Sequence, residues 1–233
     1  MKIKTNLAKR SNYGDKRPLS YIKYIVIHYT GNDGDTDENN GKYFKNNYVG
    51  ASAHYFVDDD SVTQSVPDDY IAWHCGASVY KHKECRNTNS IGIEICDDVR
   101  NGTIYPSKKT IENVLELTCT LMNKYNIPKE NVIRHYDVTG KICPAYWCGT
   151  TTKNKKWKTE FWNKLQETEK EFKPYTVKIN TKTLNVRKGA STSTKIVTTV
   201  KLGEVYTIVE EKNGWGKLKS GVGYVKLSYT EKV

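Results

Sequence analysis

The sequence predicts an α/β domain followed by a small all-β domain. Over roughly the first 165 residues, short apolar runs typical of buried strands alternate with longer stretches of helical periodicity, which is the pattern of an α/β fold. A charged run at 167–174 ends in a proline, and beyond it the pattern changes to short strands alone. We therefore place one domain at 1–166, a linker at 167–175 and a second domain at 176–233.

The first half of the α/β domain follows from local patterns. Lys23–His28 is a continuous apolar run that ends in a histidine, which is typical of a buried strand. Thr36–Tyr48 is predicted to be a helix because acidic residues lie in its first turn. Ala53–Asp58 and Ser61–Val66 resemble the two strands of a hairpin that turns over three aspartates.

The segment Ser90–Cys96 alternates strictly. Its isoleucines, at positions 91, 93 and 95, share one face of the predicted strand, while Gly92 and Glu94 share the other. The isoleucine face is expected to point into the core. Glu94 would then face away from the core, beside a glycine that leaves room for a substrate.

The remaining elements follow the same rules. Ser107 is expected to cap a long helix whose apolar stripe ends at Tyr125, and Asn131–His135 is predicted to be a strand. A last helix of the first domain is marked by four apolar residues, Trp157, Phe161, Trp162 and Leu165. The second domain has a tight-turn signal at Asn213-Gly214 and four strand-like segments, Leu184–Arg187, Val205–Val209, Gly216–Leu218 and Gly223–Leu227.

Charge is distributed unevenly along the chain. The formal net charge is +11, of which residues 173–233, with 12 basic and 4 acidic side chains, contribute +8. A small basic domain favours an anionic polymer as partner: nucleic acid, a membrane surface or a cell wall that bears teichoic acid. Against nucleic acid, Arg187 is the only arginine of this domain, so no arginine-rich stripe is present.

Several classes of protein are disfavoured by composition. With 37% hydrophobic residues, 17 tyrosines and five tryptophans, the chain has enough apolar surface to fold. No stretch approaches the ~18 apolar residues of a membrane span, and the basic N-terminus has no apolar segment of a secretory signal. We therefore expect synthesis in the cytoplasm and no membrane span, with the six cysteines as reduced thiols rather than three disulfides.

Three residues could form a metal site. His28 and His135 each end a predicted strand, and Cys143 follows His135 by eight positions, so a loop can present both to one ion. Two imidazoles and a thiolate suit zinc and leave its fourth position open. Spacing alone also allows the alternative that both histidines are structural and that Cys143 is an inert buried thiol.

The order of several motifs identifies a family. The segments are IVIHYT from Ile25, SAHYFV from Ser52, WHCG from Trp73, NSIGIE from Asn89, and RHYD from Arg134 followed by KICP from Lys141. Across roughly residues 20–165 they resemble the zinc-dependent N-acetylmuramoyl-L-alanine amidases of type 2, which are related to phage lysozyme-amidases and peptidoglycan recognition proteins. That family's fold is a mixed central β-sheet flanked by helices.

The second domain has a resemblance of its own. The segments LNVRKG from Leu184, NGW from Asn213 and GYV from Gly223 resemble bacterial SH3-like domains that bind cell walls. This implies a small all-β barrel. An amidase joined to such a domain resembles a phage endolysin or a bacterial autolysin.

The resemblance to the amidases implies roles for individual residues. His28, His135 and Cys143 would hold one zinc ion. Glu94 would be the general base on the attacking water, and Lys141 would stabilise the oxyanion formed on the scissile carbonyl. Two further residues are expected in the substrate groove: Trp73, and His74, for which a purely structural role is the alternative.

This sequence also departs from some relatives. Ala53 stands where some phage members have a catalytic tyrosine, which leaves Glu94 as the main candidate for the base. Cys143 stands where the cytoplasmic recycling amidases have an aspartate, so the chain resembles the branch of phage enzymes and recognition proteins. Members of that branch that lack the cysteine bind without cleaving, so Cys143 favours catalysis. His54 is expected to be structural.

The expected function is that of a peptidoglycan hydrolase. It would cut the amide between N-acetylmuramic acid and L-alanine with zinc-activated water, while the second domain binds the Gram-positive wall. We expect a monomer that does not bind nucleic acid and that reaches the wall through a holin pore or on lysis. The alternatives are a non-catalytic peptidoglycan recognition protein and a host bacterial autolysin.

Overall fold

The chain divides into two compact units, residues 1–168 and 169–233, in the computed structural model. The structure describes residues 2–96, 98–100, 102–165 and 172–233. Most of the predicted linker, at 167–171, lies outside the described residues. Each unit has its own hydrophobic core.

The first unit combines strands and helices, as predicted. Its strands are β1 (Ile3–Thr5), β2 (Tyr13–Lys16), β3 (Tyr24–Tyr29), β4 (Tyr55–Val57), β5 (Val62–Gln64), β6 (Tyr70–Ala72), β7 (Ser90–Ile95), β8 (Asp98–Arg100), β9 (Thr103–Tyr105) and β10 (Val132–Arg134). Its helices are α1 (Asp37–Asn46), α2 (Lys108–Tyr125), α3 (His135–Thr139) and α4 (Thr151–Lys156).

One mixed sheet organises the first unit. Its strand order is β1-β5-β4-β7-β3-β10. β7 is central and runs parallel to both β4 and β3, β10 continues parallel to β3, and β4 and β5 form the predicted antiparallel hairpin. Separate two-stranded ladders join β2 to β6 and β8 to β9. The prediction of a mixed central sheet is confirmed.

The core lies on the side of the sheet that the isoleucines face. Ile91, Ile93 and Ile95 of β7 are fully buried, together with Ile25 and Ile27 of β3. Helix α2 packs its apolar stripe onto this surface, and Ser107 caps it by accepting a hydrogen bond from the Thr110 amide. The opposite face carries Ser90, Gly92 and Glu94 of β7 and His28 of β3, next to a smaller apolar cluster that contains Tyr24 and Val26 of β3.

Two predicted elements differ in the structure. His135 does not end a strand: β10 stops at Arg134 because the Asp137 carboxylate accepts the Arg134 amide and starts helix α3. The last helix is irregular, since α4 is followed by a π-helical turn at Trp157–Phe161 and a 3₁₀ turn at Trp162–Lys164. This places Trp157 and Phe161 together against the core.

The second unit is all-β. Its strands are β11 (Tyr175–Ile179), β12 (Thr183–Arg187), β13 (Ile196–Lys201), β14 (Val205–Lys212), β15 (Trp215–Leu218), β16 (Tyr224–Lys226) and β17 (Thr230–Lys232). They form one sheet of order β13-β12-β16-β15-β14-β11-β17, in which neighbours are antiparallel. The four predicted strands are present. Asn213 and Gly214 both have positive φ at the predicted tight turn.

Two further expectations can be compared with the structure. All six cysteines lie in the described part of the chain, and all are free thiols, as expected. Among the described residues, no helix has both the length and the apolar character that a membrane crossing requires.

Candidate functional site

The site begins with two register partners on adjacent parallel strands. His28 of β3 pairs directly with Glu94 of β7. Adjacent strands are about 4.8 Å apart, so register partners that point to the same face bring their side chains together. His28 Nδ1 accordingly lies 3.9 Å from Glu94 Oε1. Glu94 faces away from the isoleucine core, as its alternation with Ile93 and Ile95 predicts.

The other two predicted ligands come from α3 and the loop after it. His135 is the first residue of α3, and Cys143 lies on the loop, whose return is closed by a backbone hydrogen bond from the Tyr136 amide to the Cys143 carbonyl. Arg134 fixes this arrangement. Its guanidinium donates to both carboxylate oxygens of Asp137 and to the Trp147 carbonyl, at 2.6–2.8 Å.

His28, His135 and Cys143 converge, and all three are buried. Each offers a ligand atom, and these atoms lie within 4.8 Å of one another. Cys143 Sγ is 3.8 Å from His28 Nδ1. Two ligands at 2.0 and 2.3 Å from a tetrahedral zinc would be about 3.5 Å apart, which is close to the 3.8 Å between Cys143 Sγ and His28 Nδ1.

The buried polar atoms of the cluster support the same assignment. His135 Nδ1 is buried and has no hydrogen-bond partner among the residues that the structure describes. A buried nitrogen without a partner is costly, and a metal ion would satisfy it. Burial lowers the pKa of His28 well below its ordinary value and that of His135 to about 4. Both imidazoles are thus neutral at neutral pH, as metal ligands must be.

The thiol of Cys143 behaves differently in this apolar setting. Burial raises its pKa, the Glu94 carboxylate raises it further, and the Lys141 ammonium opposes both. Cysteine binds a metal ion as the thiolate. A neighbouring cation, such as Lys141 or the metal ion itself, favours that deprotonated form of Cys143. The three donors, two neutral nitrogens and one sulfur, fit zinc.

A groove opens beside the cluster. It has a volume of about 610 Å³, and its walls include Trp73, His74, His135 and Lys141. Trp73 is 37% exposed and Lys141 is exposed. The structure therefore brings both residues expected at the substrate, and the lysine expected at the oxyanion, to one concave surface next to the three candidate ligands.

His74 also has a contact that the sequence did not reveal. Its Nδ1 lies 2.9 Å from Nε2 of His28, so it touches a candidate ligand as well as the groove. The expectation that Gly92 leaves room for substrate is wrong, because another side chain occupies that space. That room is filled by the His74 ring, since a Cβ at Gly92 would lie 2.6 Å from the ring. No spacing rule could have signalled a contact across 46 positions.

His54 is structural, as expected. It is fully buried, and its Nδ1 accepts a hydrogen bond from the Gly92 amide at 3.0 Å. That bond lies next to the ladder between β4 and β7, one residue before its first pair, Tyr55 with Ile93. His54 is not one of the three residues that converge on the candidate metal position.

Comparison with known families agrees with this geometry. Residues 17–146 match the family described as N-acetylmuramoyl-L-alanine amidase, and residues 182–231 match the bacterial SH3 domain. The first match contains all three candidate ligands together with Glu94 and Lys141. The second covers most of the all-β unit.

Curated relatives include several Bacillus enzymes. The chain is 35% identical over 161 residues to the N-acetylmuramoyl-L-alanine amidase CwlL of Bacillus licheniformis, which covers 63% of this chain and 43% of that protein. It is 32% identical over 180 residues to the amidase CwlA of a Bacillus species, which covers 73% of this chain and 69% of that protein. The chain spans less than half the length of several of these relatives.

Solved structures share the fold of the first unit. PlyL is 32% identical with a TM-score of 0.57, and the match covers 71% of this chain and 98% of that one. A mutant endolysin from Bacillus subtilis is 30% identical with a TM-score of 0.54, over 68% of this chain and 95% of that one. With a family match over more than half of its length and the family's expected ligands brought together, the chain belongs to the N-acetylmuramoyl-L-alanine amidase family.

Proposed function

We propose that this chain is a zinc-dependent peptidoglycan amidase. It would hydrolyse the bond between the lactyl group of N-acetylmuramic acid and the L-alanine of the stem peptide. The observation that carries the proposal is that a candidate ligand and a candidate base both lie near His28 Nδ1. Cys143 Sγ, the candidate ligand, is 3.8 Å from His28 Nδ1, and Glu94 Oε1, the candidate base, is 3.9 Å from the same nitrogen.

His28, His135 and Cys143 would hold the metal, with one ion per chain. When bound there, zinc would lower the pKa of water and polarise the scissile carbonyl. The chain's own contribution is to keep both imidazoles neutral by burial and to leave one side of the cluster open toward the groove.

Glu94 is the proposed general base. Its side chain is 20% exposed, so the carboxylate can meet a water molecule that enters from solvent. It would take the proton of the attacking water and then deliver it to the alanine amine as the C–N bond breaks. The parallel pairing of β7 with β3 holds the Glu94 carboxylate beside the cluster. Glu94 is not one of the three converging candidate ligands.

Lys141 is the residue proposed to stabilise the charge that develops on the scissile carbonyl. It lines the groove two residues before Cys143, and its positive charge lowers the pKa of both His28 and His135. Because Lys141 and His135 line the same groove, the ammonium would be available to stabilise an oxyanion on a carbonyl presented at the cluster. Trp73 and His74 would contact the sugar or peptide along the groove wall.

The second unit would hold the enzyme on the Gram-positive cell wall. Its match to the bacterial SH3 domain and the net charge of +8 over residues 173–233 favour an anionic wall polymer. Tethering would raise the local concentration of the catalytic unit at its substrate. The monomeric state, the absence of nucleic-acid binding and release through a holin pore or on lysis stay predictions.

Two alternatives make different predictions. A non-catalytic recognition protein would use the same groove without cleavage. The presence of Glu94 and Cys143 beside His28, and of Lys141 in the groove, supports the catalytic proposal. A bacterial autolysin would perform the same reaction and would differ in its route to the wall.

The test is a digest of purified Gram-positive walls followed by product analysis. We expect one new α-amine per cut, on alanine, and no new reducing sugar ends. Chelation should abolish the reaction, and added zinc should restore it. New reducing ends would indicate a glycosidase, a new amine on another residue would indicate an endopeptidase, and binding without products would favour the recognition protein.

A further inference from the structure

A chain of hydrogen bonds runs from the candidate metal cluster into the fold. His28 directs Nδ1 toward Cys143, so its other nitrogen, Nε2, faces the opposite way. There it meets His74 Nδ1 at 2.9 Å, with the two rings edge to face. On its far side, His74 Nε2 lies 3.1 Å from the Ser90 hydroxyl.

The direction of these bonds follows from the role of His28. If Nδ1 of His28 binds the metal, its proton is on Nε2, which then donates to Nδ1 of His74. His74 therefore carries its own proton on Nε2 and donates it to Ser90 Oγ. The Ser90 hydroxyl donates onward to the Arg86 carbonyl at 2.7 Å. Every donor meets one acceptor, and the chain ends on the backbone.

Strand β7, which carries the candidate base Glu94, also holds this chain of hydrogen bonds in place. Ser90, Gly92 and Glu94 occupy alternate positions of β7 and so share the face that looks toward the cluster. Ser90 Oγ accepts the hydrogen bond from His74 Nε2, and Gly92 leaves space for the His74 ring, since a Cβ there would lie 2.6 Å from it. The ring of His74 is therefore held at both nitrogens and packed against the backbone.

We propose that His74 is a positioning residue of the metal centre, which orients His28 by accepting its Nε2 proton. The inference rests on the proposed zinc site, and it gives His74 a role beyond the groove wall. A group that accepts the second proton of a ligating histidine fixes its tautomer and ring orientation, and removing such a group typically weakens metal binding about 10–100-fold.

Three substitutions of His74 distinguish the effect of losing its hydrogen-bond acceptor, Nδ1, from the effect of changing its size. In His74→Ala the acceptor is lost. In His74→Asn the side-chain amide oxygen can occupy the position of Nδ1 and keep the bond to His28. In His74→Gln the amide reaches instead toward the position of Nε2 and Ser90. Each variant is made in the full chain.

The measurement is the zinc dissociation constant, obtained by competition with a chromophoric chelator at fixed pH. We expect His74→Ala and His74→Gln to weaken zinc binding about 10–100-fold and His74→Asn to stay within a few-fold of the parent. Ser90→Ala keeps His74 but removes the far end of the chain, so a smaller loss is expected. Trp73→Ala, a neighbour on the groove wall, should leave zinc affinity unchanged.

The outcomes are distinct. Parental zinc affinity in His74→Ala, or equal loss in the alanine and asparagine variants, would overturn the inference. Melting temperatures of the metal-free proteins control for a general loss of structure. Amidase activity is assayed separately: a parent that binds zinc but releases no alanine amine rejects the proposed function while the affinity series still decides the role of His74. A parent that binds no zinc rejects both.

Discussion

Gly92 and His74 share one small volume, because the imidazole of His74 lies where a side chain at position 92 would project. A Cβ on Gly92 would be 2.6 Å from Cγ of the ring and 2.8 Å from its Nδ1, which is closer than real Cβ contacts allow. The atom most crowded after Cγ is therefore the one that faces His28. A glycine in the middle of a central strand is explained by this ring.

Gly92→Ala should consequently damage the site more than the fold. The added methyl group would push His74 away from His28, so we expect zinc affinity to fall about 10-fold or more, with a stability cost of about 1–3 kcal/mol from overpacking. Chelator competition and thermal unfolding measure the two effects. Gly76→Ala is the control, since its Cβ would meet Asn87 at an ordinary 3.4 Å. Equal zinc affinity in both variants would contradict the packing argument.

Glu94→Ala and Lys141→Ala should each fold and keep zinc while turnover collapses. Loss of a general base typically costs about 10²–10⁴ in rate, and loss of a group that stabilises the oxyanion about 10²–10³. Release of alanine amine and bound zinc are measured on the same samples, with Glu112→Ala on the surface of α2 as the control. Near-normal turnover in Glu94→Ala would show that Glu94 is not the base.

Cys143→Ala should lose metal and activity together, because one of three converging donors is gone. Cys143→Asp should retain part of both, since a carboxylate oxygen also binds zinc at ~2.0–2.2 Å. Metal content by mass spectrometry and amine release are the readouts. Cys119→Ser, at a half-buried position outside the cluster, is the control and should keep its zinc. A fully active, zinc-free Cys143→Ala protein would eliminate the metal mechanism.

A chain ending at residue 172 should fold and hold zinc, because the main core of the first unit, as far as the structure describes it, is formed by residues between 22 and 165. We expect it to bind walls more weakly than the full chain, with turnover of a small soluble muropeptide little changed. Wall binding by the full chain should also weaken with salt, since exposed charges are screened over ~10 Å at 0.1 M. Pull-down on walls at several salt concentrations tests both points. Undiminished wall binding after truncation would remove the targeting role from the second unit.

The parts of the site that follow from local patterns could be predicted from the sequence. The alternation of β7 correctly directs Glu94 away from the core, and the apolar run of β3 places His28 at its end. Order along the chain and the family motifs bring in His135 and Cys143. Strand β3, helix α3 and the loop after it bring the ligand atoms of these three candidates within 4.8 Å of one another.

Other features depend on contacts that no local pattern encodes. Strand β1 has no apolar periodicity and exists because β5 offers it a parallel edge. The start of α3 at His135 depends on one carboxylate, that of Asp137, which competes with strand extension for the Arg134 amide. The hydrogen bond between His74 and His28 joins a loop residue to a strand residue that come together only in the folded domain.

The alternation of β7 ties the correctness of the site to that of the core. If β7 paired with β3 and β4 one residue out of register, its isoleucines would turn to the groove, and Ser90, Gly92 and Glu94 would turn into the apolar interior. Such a misfolded sheet would bury a carboxylate and expose three isoleucines, so it would be too unstable to persist. No stable state is therefore expected in which the domain is well packed but has this register wrong, so the packing of the core also sets the position of Glu94, the candidate base.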